Sequence, residues 1–563
     1  MNNFKFTLKA IIALTVFVFT ANAQQWDGLT YYSNSGSTSG YLIDTNSTNV
    51  KVWSFTGQGG TGYSTHLMPG GVLWRSVSNS AGNVLTGGGM TGRIQKWDYA
   101  GNKLWDYTYS SSTYCLHHDH CPLPNGNVLV ISYDVRTATD AYNAGATNSI
   151  TVWSEKIMEL QPVGTNSAVV VWEWKVWDHL VQNLYPTRAN YATSIVNNPG
   201  KFNINYSLQK DWLHMNGIDY NPMLDQIVIS SHNLNEWYVI DHSTTTAQAA
   251  TGSGGNSGMG GDILYRWGNP LAYQATGTKI LDVTHDAHWI KEGIPNAGYL
   301  VGLNNKGSTG PKTTVDQISV PRSNYNYTLA LGSAYTPSTF NLRHTSTGYT
   351  SNMGSSNQFP NGNQMVCLAM SGTIYEIDPA GNVLWTKTTG GACPQSHRYT
   401  QCYISNPAPA QPSISVSGND LVSTTGVTYQ WYVDGNLIPG ATSQNYTPTQ
   451  NGIYVVRVTD SNGCVYAYSA GYPYTLVTGI KENQIAANLK VYPNPSSGIV
   501  TIDDWYIKSI GYSVNVIDAQ GKVILSTQNE NKLDLSSFDS GVYFISIQTA
   551  DGMLINKRVS LVK

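Results

Sequence analysis

All 12 histidines of this 563-residue chain lie between His66 and His397, and residues 398–563 contain none. Histidine is the side chain that exchanges protons near neutral pH, so acid–base, nucleophilic or metal chemistry belongs to the first two thirds of the chain. Three segments share a local form: His117-His118-Asp119-His120, Trp212-Leu213-His214-Met215-Asn216, and Thr284-His285-Asp286-Ala287-His288-Trp289. Each is followed by a turn and an apolar strand, at 128–131, 227–229 and 298–303. If the segments occupy equivalent places in a repeated unit, His118, His214 and His285 converge on one mouth of a central channel. Convergent imidazoles can ligate a transition metal, with Asp119 or Asp286 orienting them. Alternatively, one is a nucleophile while its neighbours move protons and stabilise charge. The chain has no His-x-x-x-His or paired Cys-x-x-Cys spacing. Spacing alone leaves catalysis, metal binding and a structural role open.

The elements that must position these histidines are strands. From 26 to 405 a phrase recurs, in which a Gly/Asn turn, an apolar strand and a second strand end in Asp. Gly82-Asn83-Val84-Leu85 leads to Ile94-Gln95-Lys96-Trp97-Asp98 and Gly101-Asn102; Pro360-Asn361-Gly362-Asn363 leads to Ile374-Tyr375-Glu376-Ile377-Asp378 and Gly381-Asn382. Partial copies stand at 124–131 and 225–241. Short strands repeating every ~40–50 residues are the mark of propeller blades. Five or six copies can be counted, and six blades are predicted, with loops 178–212 and 243–262 interrupting the period; the competing architecture is a large β-sandwich. After Pro407-Ala408-Pro409-Ala410, residues 411–475 resemble an Ig-like module, with Trp431 on a middle strand and Tyr454 on a late one.

Hydrophobic residues make up 41% of the chain and charged residues only 12%, about half the ~25% usual in soluble domains. A net charge of -3 gives no electrostatic footprint for nucleic acid. Lys5 and Lys9 precede an apolar run at 10–19, and Ala21-Asn22-Ala23 fits a cleavage site, so 1–23 reads as a secretory signal peptide. No later run is long and apolar enough to cross a bilayer, which predicts no integral membrane segment in the mature chain. Six cysteines suit an oxidising compartment. Cys115 with Cys121 and Cys393 with Cys402 suggest local disulfides, leaving at least one of Cys367 and Cys464 free. Neither a Gly-rich phosphate loop at a helix start nor a Cys-x-x-Cys-His is present, and no cofactor is expected.

The last stretch carries Tyr492-Pro493-Asn494-Pro495, Val514–Asp518 with Gly521-Lys522, and Gly541-Val542-Tyr543-Phe544. Residues 489–563 closely resemble the type A C-terminal sorting domain of the type IX secretion system. This implies a β-sandwich export address, the type IX machinery as partner, and a secreted or cell-surface protein. Over 60–405, His118-Asp119 with Pro122-Leu123-Pro124-Asn125-Gly126-Asn127, Asp211-Trp212-Leu213-His214, His285-Asp286-Ala287 and Gly261–Pro270 resemble the aryl-sulfate sulfotransferase family. That resemblance implies a six-bladed propeller that moves a sulfuryl group from an aryl sulfate to a phenol, and it allows a homodimer. By position, His285 matches the nucleophile that forms a sulfohistidine, and His214 the histidine that assists the leaving phenoxide. His118 matches a residue that stabilises the sulfuryl oxygens, with His117 the register alternative. His117, Asp119, Asn216, Asp286 and Arg266 are expected to bind substrate. One position departs. Where the family pattern places an arginine, a permanently charged forked clamp, this chain has His232. Arg266, Arg343 or Arg398 would have to replace that arginine in space. Otherwise the substrate differs or sulfuryl transfer is lost, leaving a non-catalytic surface propeller that binds glycan or matrix. A metal-dependent hydrolase built on the same histidines is the remaining alternative.

Overall fold

The Asp-x-x-Gly-Asn phrase works as a self-bonded turn. Asp98 accepts from the Gly101 and Asn102 amides (both 2.7 Å) and from the Asn102 side chain (2.8 Å), and Asp378 does the same with Asn382. Such Asx turns fix where one strand stops and the next begins. A computed structural model describes residues 24–78, 82–476, 488–503, 507, 510–550 and 553–563; the predicted signal peptide lies outside them.

Six antiparallel sheets of four strands follow one another along the chain. Blade 1 comprises Leu29–Tyr32, Ser39–Ile43 and Asn49–Ser54, with Ser396–Tyr399 as its innermost strand. The late chain thus closes the ring, with Thr30 opposite Arg398 and Tyr31 opposite His397. The innermost strands of blades 2 to 6 are Thr61–Met68, Tyr114–Pro122, Met215–Asn221, Thr284–Trp289 and Ser355–Gln358. The expected six-bladed propeller is what the chain forms. Tryptophans explain much of its cohesion. The indole N–H groups of Trp53, Trp105, Trp174 and Trp267 donate to the carbonyls of Asp98, Ser167, Gly261 and Pro337, 2.7–2.9 Å away, and each bond joins one blade to the next. Each ring fills the interblade core while its one polar atom is satisfied.

Beyond the propeller, Ile414–Ser417, Asp420–Ser423 and Asn445–Tyr446 form one small sheet, and Tyr429–Val433, Asn436–Leu437, Gly452–Thr459 and Tyr466–Tyr468 form another. Trp431 is fully buried and stacks on Tyr446, which also meets Tyr454. Cys402 and Cys464 form a disulfide, tying the helix Gln401–Ser405 to this sandwich. The four other cysteines are free, so the expected local pairs do not form. Cys115 and Cys121 lie six positions apart on one strand, and at ~3.3 Å per residue that spacing far exceeds the ~7 Å limit for a bridge. This module groups with the propeller in one compact unit. The second unit takes in Pro448–Asn451 and everything from Tyr474 on. There, strands including Ile499–Asp503, Tyr512–Ile517, Gly541–Thr549 and Leu554–Leu561 enclose a core of Val500, Ile502, Val514, Val516, Ile545 and Val559.

Candidate active site

Each histidine segment interrupts the regular alternation of an innermost strand. Pairing slips between Leu116 and His120, between Met215 and Gly217, and between His285 and His288. His118 (φ 51°) and His214 (φ 54°) both take the left-handed conformation. Such bulges re-aim side chains that a flat strand would send elsewhere, and the shared strain at matching places marks the two histidines as equivalent.

The outcome is a largely buried cluster of imidazoles gathered from the inner strands of neighbouring blades. Ring centres are 4.6 Å apart for His118 and His214, 5.1 Å for His214 and His232, and 5.6 Å for His232 and His285. Tyr63, from blade 2, lies 4.9 Å from His118 and 6.4 Å from His285. The expected convergence of His118, His214 and His285 therefore holds in space, and His232 stands among them. Gly88 and Gly89 lie against the cluster: a Cβ on Gly88 would meet His214 at 3.0 Å, and one on Gly89 would meet His118 at 2.1 Å.

Each imidazole is held differently. His285 Nδ1 lies 2.7 Å from Asn305 Oδ1, and the Asn305 amide donates to the Thr350 and Met353 carbonyls. The amide oxygen therefore faces the ring, Nδ1 carries the proton, and Nε2 keeps the lone pair, which accepts from the Met353 amide at 3.1 Å. Burial foremost, then His232, holds His285 well below the ordinary imidazole range, so it is neutral. His214 Nδ1 lies 2.6 Å from Asp211 Oδ2. Burial alone would raise Asp211, but the His214 bond outweighs it and keeps the carboxyl low. His118 shares a 2.9 Å Nδ1–Nδ1 bond with His117. His117 stacks on Tyr133 at 3.8 Å and approaches Glu155, with burial holding it at about 3. His118 therefore faces the cluster and His117 backs it. Burial, then His214, also lowers His232, so it brings no fixed charge. The cation whose field His232 does feel is Lys306, exposed near the end of Leu300–Ser308.

Four expected substrate ligands are engaged elsewhere. Asp119 accepts from the Ile218 and His120 amides and meets His66; Asp286 accepts from the Ser356 amide. The strand bulges turn both carboxylates toward neighbouring blades. Asn216 donates to the Thr284 carbonyl and accepts from Ser230, bridging blades 4 and 5. Arg266 is fully buried against Glu236 (2.8 and 2.5 Å) and the Pro199 and Lys201 carbonyls. Arg343 pairs with Asp316 and Arg398 with Glu376, so none of the three stands in for the arginine absent at 232. Asn305 and Tyr63 were not singled out by the sequence, and Asp211 entered only as part of the Asp211-Trp212-Leu213-His214 phrase, with no role assigned. Only Asp211 had a local signal, three positions before His214.

A family model described as Arylsulfotransferase (ASST) matches residues 76–380, more than half of the chain. The chain belongs to this family. A second model, the secretion system C-terminal sorting domain, matches residues 490–561, and this arylsulfotransferase family member is accordingly exported to the cell surface or secreted. No curated protein matches the chain. Solved structures to which the chain shows some similarity include a protein of unknown function from Bacteroides caccae (11% identity, 66% of this chain and 99% of that one, TM-score 0.39) and streptogramin B lyase (9%, 63% and 81%, 0.30). Virginiamycin B lyase from Staphylococcus aureus is a third (9%, 70% and 93%, 0.31).

Proposed function

We propose that this protein transfers a sulfuryl group from an aryl sulfate to a phenolic acceptor through a sulfohistidine at His285. One observation carries the proposal: four imidazoles from three blades share one small site, and Asn305 fixes His285 as the Nε2 lone-pair tautomer. Nε2 exchanges the Met353 amide for the sulfur of the donor; the N–S bond forms as the bond to the aryl oxygen breaks. The phenoxide leaves with a proton from His214, whose imidazolium is stabilised by Asp211. Nδ1–H stays on Asn305, so the sulfated ring carries positive charge and is a good leaving group in the second half. There, an acceptor phenol gives its proton back to His214 and attacks sulfur. His118, with its Nδ1 accepting from His117, supplies an Nε2–H donor to the sulfuryl oxygens as charge builds, whereas His232 gives its one N–H to Asn233 and lines the site. His118 is a neutral donor, so the site works without the fixed guanidinium charge of the family pattern, whose loss is worth roughly 2.7–4 kcal/mol by analogy with an oxyanion donor.

The test is incubation with 4-nitrophenyl sulfate and a phenol, following nitrophenolate release and trapping a protein species heavier by one sulfuryl group. His285→Ala abolishes both signals. No release from wild type, or release unchanged in His285→Ala, refutes the mechanism.

A further inference from the structure

Two to three residues farther along the inner strands lies a second group of histidines that the proposed transfer does not use. His66 follows Tyr63 on blade 2, His120 follows His118 on blade 3, and His397 lies on the closing strand of blade 1. His66 Nε2 is 3.2 Å from Asp119 Oδ1, and the ring of His66 stands edge-on to that of His120 at 5.0 Å and stacks on that of His397 at 5.4 Å. One ligand atom from each of His66, Asp119 and His120 lies within 4.8 Å of the others. Asp119 is aimed by the His120 amide (2.8 Å) and the Ile218 amide (3.2 Å).

The second observation is a pair of orphaned nitrogens. His120 is 2% exposed, and its Nε2 is buried with no partner; the same is true of His397 Nε2. Unpaired buried polar atoms are costly and call for an explanation. His120 Nδ1 is 2.7 Å from Ser64 Oγ, and that hydroxyl is directed at the His118 carbonyl. Nδ1 is then the donor to Oγ, and Nε2 bears the lone pair, the state a metal ligand needs.

We propose that His66, Asp119 and His120 bind a divalent transition ion of the zinc class, with His397 the flanking nitrogen. Two imidazoles and a carboxylate form a donor set that zinc accepts at ~2.0–2.2 Å. At that reach, ligand atoms stand ~3.4 Å apart, so the rings close in slightly on the ion. Lys291, which is exposed, is the cation whose charge reaches His397 and His288, and the carboxylate of Asp219 acts on it in turn. The ion would join the inner strands of blades 2 and 3 beside the seam where blade 1 is closed. None of this depends on the sulfuryl chemistry.

The test uses tag-free protein stripped with chelator, then titrated with zinc alone and with cobalt as a visible-spectrum reporter. One equivalent binds, the cobalt spectrum shows nitrogen–oxygen ligation, and the melting temperature rises. His120→Gln and Asp119→Asn each weaken binding at least tenfold, while His285→Ala keeps it. Asp119→Asn preserves shape and serves if His120→Gln fails to fold. No binding by folded wild type, or one equivalent retained in both variants, overturns the site. Loss of metal in His285→Ala instead would move the ion to the upper cluster and would count against His285 as nucleophile as well.

Discussion

Asp211→Asn separates proton transfer from every other role of the site. Asp211 Oδ2 lies 2.6 Å from His214 Nδ1, and the Asp211 side chain is 27% exposed. Two unit charges ~4 Å apart, about the spacing of the charge centres in such a pair, are worth ~4 kcal/mol at an effective dielectric of ~20, and partial exposure cuts that to about 2 kcal/mol. The amide still accepts the Nδ1 proton, so ring orientation survives while the imidazolium loses that ~2 kcal/mol. The corresponding slowing of a proton-dependent step is about 30-fold. The assay is kcat for a series of aryl sulfates of graded leaving-group acidity. Nitrophenolate departs unaided, so 4-nitrophenyl sulfate is expected to lose no more than a few-fold. Unsubstituted phenyl sulfate is expected to lose the full factor, and the plot against leaving-group pKa to steepen. An equal loss for all substrates, or none for phenyl sulfate, refutes His214 as the proton donor.

Four further outcomes follow from the same geometry. Gly89→Ala places a Cβ 2.1 Å from the His118 ring on a residue with φ 65°; strain of ~1–2 kcal/mol and a displaced ring should lower kcat/KM at least tenfold while the melting temperature falls only modestly. Arg266→Leu leaves Glu236 buried and unpaired, so urea unfolding should register a loss of ~3–5 kcal/mol, with KM of the folded fraction unchanged. Lys306→Ala should raise KM for aryl sulfate about 2- to 5-fold, as suits an exposed charge, and flatten its salt dependence. Burial alone would lower His242, but bonds to Asp225 and Glu159 outweigh it and raise it to about 9. A raised histidine stabilises the fold fully below its unfolded value near 6.5 and loses that contribution as pH climbs through about 9. The stability gap between wild type and His242→Gln, on the order of 2 kcal/mol with Asp225 partly exposed, should therefore close between pH 6.5 and 9.5; a gap that widens refutes the pairing.

The propeller could be read in the sequence because its punctuation is chemical: Asp98 with Gly101-Asn102 and Asp378 with Gly381-Asn382 close the same turn wherever the phrase occurs. Convergence of the histidines was legible for the same reason, since equivalent positions in equivalent blades face one axis. What the sequence hid is the direction of individual side chains. Asp119 and Asp286 sit beside cluster histidines in sequence, yet bulged strands carry them to the Ile218 and Ser356 amides. Arg266 finds Glu236 thirty positions away on the adjacent strand, a pairing set by register rather than local pattern. Cys402 likewise bonds to a partner 62 residues on. Asn305 gave no signal at all, because its role depends on which carbonyls its amide meets.

The borrowed strand Ser396–Tyr399 has a consequence for biogenesis. Until residue 399 is available, the first blade presents an open β-edge and the circle has a gap, so a chain halted earlier offers that edge to any neighbouring strand. The N-terminal segment is fastened from the same late region, through Trp26 to Glu376 and Asn363 to Gln24. Threading of the polypeptide and completion of the toroid are therefore successive events: the first sheet to emerge is the last to be finished.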